Sequence, residues 1–243
     1  MPRLILVGFL LVVLTAGPAP AQCTFFTDHG AFQEFNMADG KFPKGIETFE
    51  ESDALPGEKL PVPAPLGPDP SPGFPNGLEM SNLVLWDNVT PGPSPPALNP
   101  SGFGDALFIG GGVPFTNSEK VGEDLEVLYG TETSLDLVFT STGKTGIGFW
   151  LSQFDGFGFG DWTITVYDAD GNILGVDVLT APPLGEPGVK TFWGVWCPTS
   201  IARINIWDEC ICPDVVDDIE LWVSPPTPID ATSWGSVKNR YAD

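Results

Sequence analysis

The stretch Asp214-Val215-Val216-Asp217-Asp218-Ile219-Glu220-Leu221-Trp222-Val223 constrains the fold of this chain most. Its apolar residues fall every second position, so it buries one side only as a β-strand. That register sends Ile219, Leu221 and Val223 to a core and Asp218, Glu220 and Trp222 to the opposite face. Adjacent carboxylates at the mouth of such a strand repel each other unless something positive sits beside them. Upstream, Glu47-Thr48-Phe49-Glu50-Glu51 offers matching oxygens on an opening strand. The first and last strands are therefore expected to meet.

Between these ends the same period recurs. Strands are predicted at 45–50, 83–86 and 106–109, then more regularly at 125–129, 134–140, 145–151, 162–168, 173–179, 190–197, 201–207 and 217–223. Short strands punctuated by Gly, Asp, Asn and Pro indicate an all-β fold, an antiparallel β-sandwich. Asp168-Ala169-Asp170-Gly171-Asn172 reads as a hairpin turn. It lacks the downstream glutamate and entering helix of a calcium-binding loop of the EF-hand kind. Residues 55–77 and 91–104 are dominated by Pro and Gly and read as long extended loops, since Pro is barred from central strands. One short helix is predicted within 24–37, capped by Thr27 or Asp28, with Phe32 and Phe35 as its apolar edge.

Residues 1–21 read as a signal peptide. Arg3 precedes the apolar run 4–14, and Ala19-Pro20-Ala21 supplies small residues for cleavage. The run is too short for a good membrane span, so the chain is expected to be secreted to the extracellular medium or cell surface. The sandwich then occupies 22–223, and 224–243 form a Pro-rich linker with a short terminal helix carrying Trp234, Val237 and Tyr241 on one face. No transmembrane anchor is expected. Ten basic against 32 acidic residues give a net charge of −22, which disfavours nucleic acid and anionic membranes as partners. Four cysteines suit an oxidising compartment. Cys210 and Cys212 flank a single residue, so each is expected to pair elsewhere, one with Cys23 and one with Cys197.

Phe26-Thr27-Asp28-His29-Gly30-Ala31-Phe32 followed by Thr48-Phe49-Glu50 resembles the opening of a group of secreted bacterial β-sandwich proteins, many of which carry exosortase sorting tails. Gly146-Ile147-Gly148-Phe149, the Asp-Gly-Asn turn and Asp217-Asp218-Ile219 extend the likeness. The group is similar to galactose-binding-like jelly rolls, including carbohydrate-binding modules, in which a structural Ca²⁺ ties the first and last strands. The resemblance implies Glu50 and Asp218 as ligands, with Glu51 and Asp217 as neighbours. The chain departs from the group in its Pro-rich insertions and in lacking a sorting tail.

Calcium takes six to eight oxygens, which Glu50, Glu51, Asp217, Asp218 and loop carbonyls would supply. The competing reading makes these acids ordinary surface. Among the eight tryptophans, parity sends Trp150, Trp207 and Trp222 outward, Trp207 beside Arg203 and Asn205, and keeps Trp162 and Trp193 in the core. Outward aromatics stack on sugar rings, with adjacent polar groups fixing hydroxyls; equally, loops can cover them. Phe157 and Phe159, in a Gly-Phe loop between two strands, are further ligand candidates. The single histidine, His29, lies in the short helix and reads as surface, which removes most His-dependent catalysis. The leading expectation is a non-catalytic module binding glycans or cell-surface polymers. The alternatives are a structural surface or matrix protein without a small ligand, and a glycosidase-like hydrolase using paired carboxylates.

Overall fold

The computed structural model describes residues 23–49, 59–63, 65–88, 106–111, 119–122, 133–153, 161–180, 191–208 and 214–224. The expected signal peptide, the strand at 125–129, Glu50, Glu51, Phe157, Phe159, Cys210, Cys212 and the terminal segment 225–243 lie outside them.

Thirteen strands and one helix are described in chain order: β1 Thr24–Phe26, α1 His29–Ala38, β2 Phe42–Glu47, β3 Lys59–Pro63, β4 Leu83–Asn88, β5 Ala106–Gly111, β6 Glu119–Gly122, β7 Thr133–Phe139, β8 Lys144–Gln153, β9 Trp162–Tyr167, β10 Ile173–Leu179, β11 Thr191–Trp196, β12 Arg203–Asp208 and β13 Asp214–Val223. They form two antiparallel sheets. One runs β1-β11-β8-β13-β6-β5-β3, with β2 pairing the half of β13 that β6 leaves free; the other runs β10-β9-β12-β7-β4. Ile147, Phe149, Leu151, Trp193 and Val195 from the first sheet meet Leu135, Leu137, Trp162, Ile164, Val166, Ile204 and Ile206 from the second in one buried cluster. The chain is thus an antiparallel β-sandwich with a short helix, as its alternation indicates, and Trp162 and Trp193 are core.

The closing strand pairs with the opening one as expected, Ile219 lying opposite Glu47. Its alternation is broken, however. Asp217 pairs with Trp150 and Glu220 with Gly148, three residues against two, so β13 carries a bulge. Asp218 sits in that bulge with φ of 51°. Consequently Asp217, not Asp218, shares a face with Glu220 and Trp222.

Helix α1 starts where Asp28 accepts a hydrogen bond from the Ala31 N–H at 2.7 Å, a side-chain cap of the first turn. Phe32 and Asn36, one turn apart, point down onto the outer face of the larger sheet, and both are buried. The floor there is glycine: a Cβ on Gly148 would lie 2.8 Å from Phe192 Cζ and 2.9 Å from Phe32 Cε1. Trp222 does face away from the sandwich core, but it packs at 6.2 Å against Phe32 under this helix and is only 3% exposed. It therefore offers no open platform.

Two further expectations are corrected. Cys197 bonds to Cys23, rather than either pairing with Cys210 or Cys212. The cause is β1, three residues that pair with the end of β11 so that Thr24 faces Trp196 and brings the two cysteines together. The Pro-rich stretch expected to be loop contains β3, which holds Pro61 and Pro63. Among the described residues it lies at the sheet edge and pairs with β5 alone, the position where Pro is tolerated in a sheet. The turn after β9 is as read: Asp168 accepts from the Asp170 and Asn172 N–H groups at 2.9 and 2.8 Å. The Asn172 side chain leads the contacts that hold its carboxyl below the usual range.

Candidate functional site

The outer face of the five-stranded sheet gathers aromatic and polar side chains in rows. Register places Trp86, Asp136, Asn205, Thr165 and Val176 in one row across the strands. The neighbouring row on one side carries Val84, Val138, Arg203 and Tyr167, and Trp207 and Thr163 lie in the row on the other. The centre is a fixed polar network. Arg203 Nε donates to Asp136 Oδ1 at 2.7 Å and its Nη2 donates to Oδ2 at 3.0 Å. Asn205 Nδ2 donates to Asp136 Oδ1 at 2.9 Å. All three residues are buried, and the guanidinium lies 4.9 Å from the Tyr167 ring centre. Burial pushes the Tyr167 hydroxyl above its usual range, against the opposing charge of Arg203.

Trp86 and Trp207 flank this network and are half-buried. They stand two strands and one residue pair apart, about 12 Å between Cα atoms from sheet geometry. Trp207 Nε1 is buried and, among the described residues, has no hydrogen-bond partner. Sequence parity placed Trp207 outward beside Arg203 and Asn205. It missed Asp136 and Trp86, which only strand order brings alongside.

The second expected aromatic, Trp150, lies on the outer face of the larger sheet and is half-buried. Its ring centre is 5.7 Å from His29 and 5.4 Å from Phe192. His29, read from sequence as surface, instead bonds Glu220 Oε1 at 2.9 Å, with Gln33 Nε2 at 2.9 Å from the same ring nitrogen. Chain positions 191 residues apart meet there, which no local pattern reveals. Trp150 and Trp222 thus belong to one aromatic cluster with Phe32 and Phe192 on the α1 side of the larger sheet, while Trp207 lies on the other sheet, so the three do not form one platform.

Of the expected metal ligands, Asp217 is buried on the α1 side of the sheet and Asp218 sits in the bulge with its N–H on Asp217 Oδ1 at 3.0 Å. Glu47, opposite the inward Ile219, accepts from the backbone N–H groups of Phe49 and Met80 at 3.2 and 2.9 Å. Among the described residues no three Asp, Glu, His or Cys side chains gather in a metal-binding group. No described helix is long and apolar enough to cross a membrane.

No family model matches this sequence. No curated protein matches it. Among solved structures it is similar to a family 29 carbohydrate-binding module complexed with mannohexaose, at 10% identity and TM-score 0.37, covering 70% of this chain and 94% of that one. A cleaved adhesin domain of Lys-gingipain matches at 15% identity and TM-score 0.36, over 74% of this chain and 98% of that one. The CBM22-1 xylan-binding domain of Paenibacillus barcinonensis Xyn10C matches at 12% identity and TM-score 0.32, over 71% of this chain and 99% of that one.

Proposed function

We propose that the protein is a secreted, non-catalytic carbohydrate-binding module that takes a neutral glycan across the outer face of its five-stranded sheet. The observation that carries the reading is the pair Trp86 and Trp207, half-buried on either side of a hydrogen-bonded Asp136–Arg203–Asn205 floor. Indole faces cover the apolar faces of sugar rings. The floor between the aromatics is held by charge-assisted bidentate bonds, so its polar groups are fixed before a ligand arrives and less entropy is lost on binding. A neutral ligand fits the charge, because a chain of net −22 repels polyanions. Affinity electrophoresis against soluble neutral polysaccharides tests this. Retardation by at least one of them, lost in Trp207→Ala and Trp86→Ala with the fold retained, is expected. Removal of one buried aromatic anchor costs on the order of 2 kcal/mol, about thirtyfold in Kd. Migration identical for the native chain and both variants in every gel overturns the reading.

Calcium at the junction of β2 and β13 is a second proposal, supported by one observation. Phe49 and Asp218 both adopt left-handed backbone, with φ of 60° and 51°, beside the paired residues Glu47 and Ile219. Such strain in non-glycine residues persists where the surroundings compensate it. Glu50, Asp217 and Asp218 would be the ligands, and all are hard oxygen donors. Melting in EDTA and then in excess Ca²⁺ decides it: a metal that binds only the folded chain raises the midpoint, and an unchanged midpoint removes calcium.

A further inference from the structure

At the mouth of the sandwich, between β2 and the segment leading into β4, lies an open cleft of about 220 Å³. Lys44, Glu79, Ser81 and Asn82 line it. Gly45 is opposite Leu221 and Pro43 opposite Trp222, which leaves Lys44 as the extra, bulged residue of β2. A bulge re-aims the side chain it carries. Behind the cleft wall Asn82 Nδ2 donates to Ser141 Oγ at 3.2 Å, and Lys144 Nζ donates to the same hydroxyl at 2.8 Å and to the Ser141 carbonyl. Lys144 is 1% exposed, and its ammonium lies 5.5 Å from the Phe139 ring centre.

A buried ammonium is costly unless an opposite charge compensates it. Among the described residues no carboxylate pairs with Lys144; the ion pairs there are His29 with Glu220, Lys41 with Asp39 and Arg203 with Asp136. Burial, followed by the charge of Lys44, lowers the Lys144 ammonium to about 8. In a chain with 32 acids and 10 bases, two bases converging with no acid bonded to Lys144 is a departure from composition that calls for a cause. Glu79 is exposed at the rim and disfavours anions of higher charge.

We propose that this cleft binds a singly charged carboxylate, with Lys44 in contact, Ser81 and Asn82 as the polar wall, and Lys144 as fixed positive charge behind it. The site is separate from the glycan face and does not rest on it. A carboxylate of this kind is carried by an acidic sugar or by a free organic acid. The test uses the full chain with isotope-labelled lysine, followed by NMR at matched ionic strength. Sodium glucuronate, sodium acetate, sodium sulfate and glucose are titrated separately. Saturable shifts at Lys44 and Lys144 with a carboxylate, none with glucose, weaker ones with sulfate, and an upward move of the Lys144 titration from about 8 are expected. Lys44→Gln, an exposed change, should weaken carboxylate binding about tenfold, equivalent to one decade in Kd. Response to glucuronate but not to acetate assigns the sugar source; equal response to both assigns the free acid group. No saturable shift with either carboxylate, binding unchanged in Lys44→Gln, or sulfate bound as well as carboxylate each overturns the proposal.

Discussion

Replacing Gly194 by alanine tests how α1 is seated. Gly194 lies in β11 directly beneath the helix, and a Cβ there would stand 2.8 Å from Phe32 Cδ2, 2.9 Å from Phe192 Cε1 and 3.0 Å from Phe32 Cγ. Ring carbons at those distances must move, and Phe32 is fully buried with its ring 5.5 Å from Phe192, so neither ring has free space. Overpacking of this kind costs about 1–3 kcal/mol, although alanine by itself suits a strand better than glycine by roughly 0.5–1 kcal/mol. The net expectation for Gly194→Ala is a loss of about 1–2 kcal/mol. Phe32→Ala alone should cost about 3–5 kcal/mol, from lost burial plus a cavity. Combined, the new methyl enters the space the ring has left, so Gly194→Ala should cost nothing or stabilise in that background, a coupling of at least about 1 kcal/mol. Urea unfolding of the four proteins, with m-values checked for constancy, measures it. Equal costs of Gly194→Ala in both backgrounds would refute the seating of the helix on a glycine floor.

Three further outcomes are expected. Asp136→Ala leaves Arg203 buried without its bidentate partner and should cost about 3–5 kcal/mol, whereas Asp136→Leu with Arg203→Met should recover most of it; chemical denaturation reads both. Reduction of the Cys23–Cys197 bond, which closes 174 residues of sequence separation, should lower stability by up to about 5 kcal/mol on a chain-entropy model, seen as a fall in Tm with reductant that Cys23→Ser with Cys197→Ser no longer shows. Lys144 sits at about 8 folded against 10.5 as a free side chain, so between those values the unfolded chain holds more protons and stability rises with pH. The buried charge costs up to about 3 kcal/mol below pH 8. Lys144→Met should therefore gain most at neutral pH, and its advantage should shrink towards pH 10.5 in pH-resolved unfolding.

Most strands were legible because one face of each is buried and side chains alternate with period two. The features that failed were those without a local signature. β1 is three residues long and exists through pairing with β11. β3 contains two prolines, which mark it as non-strand unless its edge position is known. Alternation also misplaced Asp218, because a bulge adds a residue without changing composition. Parity sent Trp222 out of the core correctly, but parity cannot say that a helix lies over it. The repeated glycines of β8 looked like a motif of the strand, whereas their reason is the helix they admit. At the candidate site Trp207, Arg203 and Asn205 were visible as one face of one strand. Asp136 and Trp86 come from β7 and β4, and strand order in a sheet is not written in the sequence of any single strand.

The central claim is that a glycan lies across Trp86 and Trp207. It is tested most directly by following the indole N–H resonances of the folded protein during titration with a neutral oligosaccharide from a polymer that retards it. The Trp86 and Trp207 resonances should shift saturably as a sugar ring covers each indole face, while the core indoles of Trp162 and Trp193 and the helix-covered indole of Trp222 stay in place. Movement confined to Trp150, or no movement with any retarding glycan, would contradict it.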